Sequence, residues 1–573
     1  MIPCLSKSLG AVPGCETGGK EPMRRSYHSR LTRMLREAAA AGVEAAATGI
    51  PMDEITDMRA ERARMAQLRG VSRRHLLTRA AAAGLVAALG TRAHRAHGAT
   101  QPRIVIVGGG LAGLRCAHEL WTRSGWRATV YEADDRVGGR VETLRNFFTH
   151  GQIVEQHGEF ISSEHTSTLA LASALGLTLD VASTPAAYPE GTQDTYWFNG
   201  GSYTQAQLNA DWHAFGWALF RNTVKQMPWP TRYNLKNSQA AIAADHMSVT
   251  DWIAAHVPGS LGSAFGKLCY DDVLSEYGGP PERQSALNLI YVLGYDDSTN
   301  GRGLQPTTAP VLAGTDEKYH IQGGNDQLID GMVRQLPAGT IQLSQQLIAL
   351  KDNGNKTYTC TFQSGTTLYD VIADHVVLAL PFQTLRTVDL TKANLSTVKR
   401  QAISNLQLGN NVKIQLQFTS RLWNAAGFTG TSYADNGSAN GWECTNYQGG
   451  SAGILINVPG GAQGRGLAAQ YGLTLESGRA PAAMVTDTLT VLEPIFPGIT
   501  AAYNGQAWYH DGNLNPFLGG AWAQYNVGQY TGFSGIEPVQ EGNIHFAGEH
   551  TSMDFQGFME GAVTSGERVA REI

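Results

Sequence analysis

The pattern of hydrophobic and polar positions predicts alternating strands and helices from residue 103 onward. Residues 103–107 are dominated by β-branched residues, which is typical of a buried strand. A helix is predicted over 114–120 and a second strand over 126–131. Further strands are predicted over 340–350, 374–380, 412–418 and 543–547, and further helices over 212–220, 284–293 and 557–572. This alternation predicts an α/β fold.

The first 99 residues follow a different pattern. A long Arg-rich region contains Ser72-Arg73-Arg74-His-Leu-Leu77 and is followed by an uncharged run over 80–90. The run has eleven residues, too few to span a bilayer, so no stable membrane insertion is expected. A basic region, a short apolar region and small residues form a secretory signal layout, and the paired arginines resemble a twin-arginine signal.

We therefore expect residues 1–99 to be a signal or disordered segment that engages the export machinery. The protein would then be periplasmic or secreted. The alternative is an Ala-rich surface helix of a cytoplasmic protein, with two arginines adjacent by chance.

Composition restricts the classes of protein that remain. The chain has 573 residues, of which 42% are hydrophobic and 16% are charged, so a disordered chain or a coiled coil is excluded. A net charge of −5 argues against a nucleic-acid-binding protein. The six cysteines have no paired spacing, which excludes a disulfide scaffold and a zinc ribbon, and we predict no metal site.

A glycine-rich motif follows the first predicted strand. Gly108 permits a tight turn, Gly110 lets backbone N–H groups approach a pyrophosphate, and Gly113 lets the helix pack on the strand. Ala112 lies within the same motif. Glu132 ends the next strand, 19 residues after Gly113, where it can accept hydrogen bonds from ribose hydroxyls. The motif predicts a dinucleotide site.

A second glycine motif follows Glu132 by a few residues. Arg136-Val-Gly138-Gly139-Arg140 brings a further cation near the diphosphate. Taken with the first motif, Gly139 and Arg140 indicate FAD rather than NAD.

Residues 103–573 resemble the flavin-containing amine oxidases, which include monoamine, polyamine and L-amino-acid oxidases. Besides the nucleotide motifs, the resemblance rests on the blocks at residues 155–161, 319–327, 411–413, 545–549 and 557–562. It implies a discontinuous Rossmann-like FAD-binding domain over 100–185, 315–400 and 535–573. An α+β substrate domain with a helical subregion would occupy 186–314 and 401–534.

The resemblance also implies roles for individual residues around the flavin. Glu549 would bind the ribityl or diphosphate part, the Met559 backbone would face the pyrimidine edge, and the Leu347 backbone would contact the adenine. Gly158 would lie beside the cofactor. Lys413 would hold a water against flavin N5 and assist reoxidation by O2.

Two aromatic residues match the cage that holds the substrate amine over the flavin. These are Trp522 and Phe558, both in place of tyrosines. Ala521 stands where monoamine oxidases carry a Cys bonded to the flavin, so FAD is expected to bind non-covalently. His157 replaces a glycine found in many relatives and is expected near the flavin, either as a pH-sensitive contact or as a tolerated side chain.

The implied reaction is oxidation of a neutral amine to an imine, which water hydrolyses to an aldehyde or ketone, while O2 is reduced to H2O2. L-Amino-acid oxidases that resemble this chain bind the substrate carboxylate with an Arg where this chain has Phe160, which favours an amine without a carboxylate. Glu159 and Glu276 are candidates for binding a diamine. An L-amino-acid oxidase, a flavin dehydrogenase with another acceptor and a catalytically silent flavin-binding protein remain alternatives, and a homodimer remains open.

Overall fold

The computed structural model describes residues 101–182, 192–227, 230–296, 305–306 and 317–573. The predicted signal over residues 1–99 lies outside these residues. A five-stranded parallel sheet contains the first predicted strand at its centre. In spatial order its strands are Ile341–Gln342, Ala128–Tyr131, Ile104–Val107, His375–Leu378 and Ile544–Phe546. The predicted α/β fold is confirmed.

The helix Leu111–Ser124 begins directly after the first strand and is longer than the predicted 114–120. It packs against the last helix, Met559–Glu572, and the approach is close because glycine stands at the contact. A Cβ on Gly566 would lie 2.4 Å from the backbone oxygen of Ala112. The start of the helix Leu111–Ser124 therefore packs against the middle of the last helix.

The strand predicted over 340–350 is two strands in different sheets. The first part, Ile341–Gln342, belongs to the parallel sheet, and the second, Gln346–Asp352, belongs to a separate four-stranded sheet. The chain turns at Ser344, which has a φ of 55° and donates its N–H to the Asp134 backbone oxygen. The other strands of this sheet are Tyr358–Ser364, Thr367–Ala373 and Asp389–Lys392.

An eight-stranded mixed sheet contains Lys413. Its strands, in spatial order, are Ser477–Arg479, Tyr503–His510, Lys413–Phe418, Gly453–Val458, Ala439–Glu443, Phe428–Ala434, Gln193–Phe198 and Gly201–Ser202. Two-stranded ladders join Leu179–Val181 to Tyr319–Ile321, Gln407–Leu408 to Ala523–Gln524, Thr143–Leu144 to Val154–Glu155, and Tyr295–Asp296 to Gln305–Pro306.

Helices of the segment between residues 205 and 294 form the predicted helical subregion. They are Gln205–Asp211, Trp217–Gln226, Gln239–Asp245, Val249–His256, Ala264–Tyr277 and Ala286–Gly294, with a π-helical turn over Trp212–Gly216. Trp212 and Phe220 are buried in the largest hydrophobic cluster, as expected of core residues. The other α-helices are Thr166–Ala174, Gln327–Gln335, Phe382–Leu385, Thr397–Asn405, Leu422–Ala425, Gly461–Tyr471, Ala482–Leu492, Ile499–Ala502 and Gln529–Gly532.

Within the described ranges, no helix has the length and apolar character needed to cross a membrane. The four cysteines in these ranges, Cys116, Cys269, Cys360 and Cys444, are buried and unpaired. The division into a cofactor domain and a substrate domain stays a prediction, because strand pairing alone does not define independent folding units.

Candidate active site

A cavity of about 470 Å³ lies where the carboxyl ends of the parallel strands meet the large mixed sheet. Every site residue predicted from the sequence lines it except Gly113. The lining residues are Gly108, Gly110, Ala112, Glu132, Gly139, Arg140, Gly158, Leu347, Lys413, Trp522, Glu549, Phe558 and Met559. Residues that stand far apart in the chain therefore form one site.

The glycine motif has the geometry that a dinucleotide requires. A Cβ on Gly113 would lie 2.0 Å from the Gly108 backbone oxygen, so Gly113 acts in helix packing and lies beneath the cavity wall. Gly108 has a φ of +104°, and the space beside Gly110 is open. Gly110 is also the N-cap of the helix and has no capping side chain, so the first N–H groups are available to phosphate oxygens.

Glu132 is fixed by two backbone N–H groups. Its carboxylate accepts hydrogen bonds from Gly109 N at 2.5 Å and Asp134 N at 2.8 Å. Burial raises the pKa of Glu132. A carboxylate held in this way still has lone pairs for ribose hydroxyls. The residues present therefore fit the adenosine half of FAD.

Arg140 and Glu549 form an ion pair at the cavity wall. Arg140 Nη1 lies 3.0 Å from Glu549 Oε1 and also donates to the Ala521 backbone oxygen at 2.5 Å. The other donors to Glu549 are Ala523 N at 3.2 Å and Gly557 N at 2.7 Å. Glu549 thus positions Arg140 and two loops, and its direct contact with the cofactor stays a prediction.

Lys413 is buried at the first position of its strand, although a lysine on a strand commonly faces solvent. Its Nζ donates to the Glu155 backbone oxygen at 3.2 Å, the His157 backbone oxygen at 2.8 Å and Glu159 Oε2 at 2.7 Å. Gln415, two residues on, also donates to the Glu155 backbone oxygen. This polar face of the strand therefore anchors the segment over 155–159 that lines the cavity.

Glu159 is already engaged by protein donors. Besides Lys413, the indole Nε1 of Trp442 donates to its Oε1 at 3.0 Å. The carboxylate is therefore compensated by a protein cation, and Glu159 is a weaker candidate for binding a substrate amine than Glu276.

The two aromatic cage candidates, Trp522 and Phe558, line the same cavity. Trp522 Nε1 donates to the backbone oxygen of Glu276 at 2.6 Å, which ties the indole to the helix Ala264–Tyr277. A Cβ on Gly557 would lie 3.2 Å from the Trp522 ring, so glycine is needed there. Phe558 directly precedes the last helix and contacts the His165 ring.

One end of the cavity is acidic. Asp272 and Glu276 lie one turn apart on the helix Ala264–Tyr277 and line the cavity together with Glu317. Burial raises the pKa of Glu276 well above its usual range, and the nearby carboxyls of Asp272 and Glu317 raise it further. A bound cation would lower the pKa of Glu276 against the influence of burial and of the neighbouring carboxyls, because an opposite charge favours the ionised carboxylate.

His157 lines the cavity, as expected. Its surroundings bear on whether it is a pH-sensitive contact or a tolerated side chain. Burial lowers the pKa of His157 well below its usual range, and the positive charges of Arg136, Arg140 and Lys413 lower it further. Burial and these charges both favour the neutral imidazole. This direction favours the interpretation of His157 as a tolerated side chain over that of a pH-sensitive contact.

Sequence reasoning missed several lining residues. Trp442 and Tyr433 come from two neighbouring strands that pair as a hairpin, and Asp272, Glu317 and His510 belong to no motif. No alternation of buried and exposed positions marks these strands, because nearly every residue of Phe428–Ala434 and Ala439–Glu443 is buried.

Comparison with known proteins identifies the family. The model of the family described as flavin containing amine oxidoreductase matches residues 111–573. The chain belongs to this family. As a flavin-containing amine oxidoreductase it is an enzyme that uses FAD to oxidise an amine.

Curated relatives align with most of the length of this amine oxidoreductase. A putative L-amino-acid oxidase of Bacillus subtilis is 26% identical over 493 residues, which is 82% of this chain and 94% of the relative. A pseudooxynicotine dehydrogenase of Pseudomonas is 24% identical, covering 88% and 96% of the two chains. Human flavin-containing amine oxidase B is 25% identical, covering 82% and 85%.

Solved structures agree in fold. Cyclohexylamine oxidase from Brevibacterium oxydans superposes with a TM-score of 0.67 at 20% identity and covers 82% of this chain and 98% of its own. Wild-type putrescine oxidase bound to putrescine has a TM-score of 0.65 at 20% identity, over 82% of this chain and 99% of its own.

Proposed function

We propose that this amine oxidoreductase acts on an amine that has no carboxylate and carries a second ammonium group. FAD, bound non-covalently, supplies the two-electron acceptor for the amine C–H bond, and O2 is the final acceptor. The product imine would be hydrolysed to an aldehyde or ketone. The observation that carries this proposal is the acidic end of the cavity beside Trp522.

The carboxyls at that end suit a cation, because a nearby positive charge favours their ionised forms. Asp272 and Glu276 present two carboxyls from one face of a helix, and Trp522 is hydrogen-bonded to the same helix. A second ammonium group on the substrate would pair with these carboxyls while the reacting amine lies against the aromatic rings. The aromatic walls exclude water from the reacting amine.

The arginines of the cavity argue against an amino-acid substrate. Among the described lining residues the only arginines are Arg136 and Arg140, and each is paired with a carboxylate of the protein. Phe160 lines the cavity, and the family resemblance matches it to the arginine that binds the substrate carboxylate in L-amino-acid oxidases. An L-amino-acid oxidase would need a guanidinium with no such partner.

O2 as the acceptor is supported by the buried charge of Lys413, because a cation near reduced flavin stabilises developing superoxide. The dehydrogenase alternative is supported by two relatives whose names are pseudooxynicotine dehydrogenase and nicotine dehydrogenase. Peroxide yield distinguishes the two reactions.

Non-covalent FAD is supported by Ala521, whose methyl group cannot bond to a flavin. Acid precipitation of the purified protein is expected to release all the FAD into the supernatant. Flavin retained in the washed pellet would contradict this part of the proposal.

Export by the twin-arginine route, to the periplasm or outside the cell, is supported by the sequence of residues 72–90. A substitution of Arg73 and Arg74 by Lys is expected to retain the protein in the cytoplasm.

A homodimer also remains a proposal, to be tested by sedimentation of the holoenzyme.

The first experiment adds diamines, monoamines and L-amino acids separately to the full-length holoenzyme under anaerobic conditions. Bleaching of the flavin absorbance by diamines, followed by H2O2 when air is admitted, is expected. Bleaching by amino acids alone would overturn the substrate proposal, and bleaching without peroxide would favour a dehydrogenase.

Glu276→Gln tests the acidic end directly. We expect kcat/KM for a diamine to fall by about 10- to 100-fold, because an ionic hydrogen bond is worth about 1.5–3 kcal/mol. The value for a monoamine of the same length should change little. Glu282→Gln, at an exposed carboxylate on the loop after this helix, is the matched control. Equal losses for both substrates would contradict the proposed contact.

A further inference from the structure

Three polar side chains converge on one point at the cavity wall without hydrogen-bonding one another. Glu476 Oε1 lies 3.6 Å from His157 Nε2 and 3.7 Å from His510 Nε2. These separations are too long for hydrogen bonds. The three atoms are buried and, within the described part of the chain, have no hydrogen-bond partner. Buried polar atoms are ordinarily hydrogen-bonded, so three that meet without bonding one another suit a shared bound partner.

The chain contains a second His–His–Glu group that shows what a satisfied arrangement looks like. His375 Nδ1 lies 3.1 Å from His545 Nε2, and His545 Nδ1 lies 2.9 Å from Glu572 Oε2. Those imidazoles bond to each other and to the carboxylate. The group formed by His157, Glu476 and His510 does not, although its rings are in contact.

We propose that His157, Glu476 and His510 bind a divalent transition-metal ion, with Zn²⁺ the best match. Their ligand atoms all lie within 4.8 Å of one another. Ligands about 2.0–2.2 Å from a tetrahedral ion are separated by about 3.4 Å, so small side-chain rotations complete the geometry. Two imidazoles and one carboxylate, with a fourth position for water, form a ligand set that zinc commonly takes.

The surroundings suit a cation in spite of three nearby positive charges. Arg136 lies 2.8 Å from Glu142, Arg140 lies 3.0 Å from Glu549, and Lys413 lies 2.7 Å from Glu159. Each of these cations therefore has its own carboxylate. Arg136 Nη2 also lies 3.7 Å from Glu476 Oε1, and it is the one cation that competes with the metal for this oxygen.

The carboxylate and one imidazole are held in place by other contacts. Glu476 Oε2 accepts from Asn515 Nδ2 at 2.7 Å, which leaves Oε1 directed at the histidines. His510 ends the strand Tyr503–His510, where it pairs with Lys413 on one side and Ser477 on the other. Metal ligands with fixed partners of this kind are oriented before the ion binds.

The ion would join three distant parts of the chain at the wall of the cavity. His157 lies in the segment that Lys413 anchors, His510 lies on the neighbouring strand, and Glu476 precedes a third strand. The sequence predicted no metal site because ligands so far apart have no characteristic spacing. The proposed role is to hold this wall together, and it does not depend on the substrate assignment.

The test is metal binding by the full-length holoenzyme, purified without a histidine tag and stripped with a chelator. Zn²⁺ alone is titrated into the protein. After dialysis, the bound zinc is measured by elemental mass spectrometry. We expect one Zn²⁺ per chain. Glu476→Gln and His510→Gln should each weaken binding by about 100-fold or more, while His375→Gln, in the satisfied group, should bind as the parent does.

The readout does not depend on activity, and FAD content with circular dichroism reports whether each variant is folded. Glu476→Gln changes no volume and carries the test if His510→Gln does not fold. Failure of the parent to bind Zn²⁺, or equal binding by parent and Glu476→Gln, would overturn the proposal. So would binding that appears only after FAD is removed, since the nitrogens would then face the cofactor.

Discussion

Lys413 is held at the cavity wall by three acceptors from one short segment of the chain. Two are the backbone oxygens of Glu155 and His157, and the third is the Glu159 carboxylate. These contacts account for all three ammonium N–H groups. A water held by this lysine would therefore replace or share one of them, and the His157 and Glu155 oxygens would keep the ammonium oriented.

Lys413→Met should retain FAD and slow its reoxidation. Methionine keeps most of the buried volume but removes the positive charge, and that charge is the reason we expect rapid reaction with O2. The flavin is reduced anaerobically, mixed with O2, and followed by absorbance. A decrease of about tenfold or more is expected.

Lys351→Met, at an exposed lysine on the strand Gln346–Asp352, serves as the control for this substitution. An unchanged reoxidation rate in Lys413→Met would show that the lysine only anchors the 155–159 segment.

Residue-level prediction from the sequence succeeded where the chemistry is local. Gly108, Gly110 and Glu132 follow directly after strands, so the motif itself brings them to one edge of the sheet. Trp442 and Asp272 could not be predicted in this way, because tertiary packing alone brings them to the cavity. Burial of Lys413 was expected only from the family resemblance.

At the level of elements, two helices that line the cofactor end of the cavity pack closely against each other. Leu111–Ser124 and Met559–Glu572 both begin at the cavity. Gly566→Ala would place a Cβ 2.4 Å from the Ala112 backbone oxygen and force the helices apart. We expect a loss of about 1–3 kcal/mol in stability and weaker FAD retention.

Gly466→Ala is the matched control for the helix contact. Gly466 is exposed on the helix Gly461–Tyr471, and a Cβ there meets no atom within 4 Å. Alanine should leave stability unchanged or raise it by up to about 1 kcal/mol. Thermal unfolding and FAD content are measured for both variants. Similar behaviour of the two would show that helix contact is not tight in solution.

Element prediction from the sequence was accurate in type and less so in extent. The helix expected over 114–120 continues to Ser124, and the strand expected over 340–350 divides at Ser344 because each half pairs with a different sheet. The strand Lys413–Phe418 is buried on both faces, since its polar side chains bind the segment over 149–157. The local sequence pattern does not show which distant segment will pair with a given strand.

At the scale of the whole molecule, the fold is held together by contacts between segments that are distant in the chain. The buried lysine Lys399 makes one of these contacts. Lys399 Nζ donates to the backbone oxygens of Ile536 and Glu537 at 2.6 and 2.9 Å and lies 3.7 Å from the centre of the Phe546 ring. Burial lowers the pKa of Lys399 to about 7. The helix Thr397–Asn405 is thereby joined to the region before the last parallel strand.

This buried lysine should make stability depend on pH in the alkaline range. An unfolded lysine keeps its proton up to about pH 10.4, whereas the folded protein loses the proton near pH 7, so the unfolded chain binds more protons between these values. Stability from this group therefore rises from pH 7 to 10, by up to about 1.4 kcal/mol per pH unit. Below pH 7 both states are protonated and the contribution levels off.

Lys399→Met removes this contribution, so its stability should rise less than that of the parent between pH 7 and 10. Thermal unfolding of both holoenzymes is measured at matched FAD concentration across this range. Lys392→Met, at an exposed lysine, should follow the parent curve. Parallel curves for the parent and Lys399→Met would mean that the hydrogen bonds to Ile536 and Glu537 keep the folded lysine protonated well above pH 7, with burial the weaker influence.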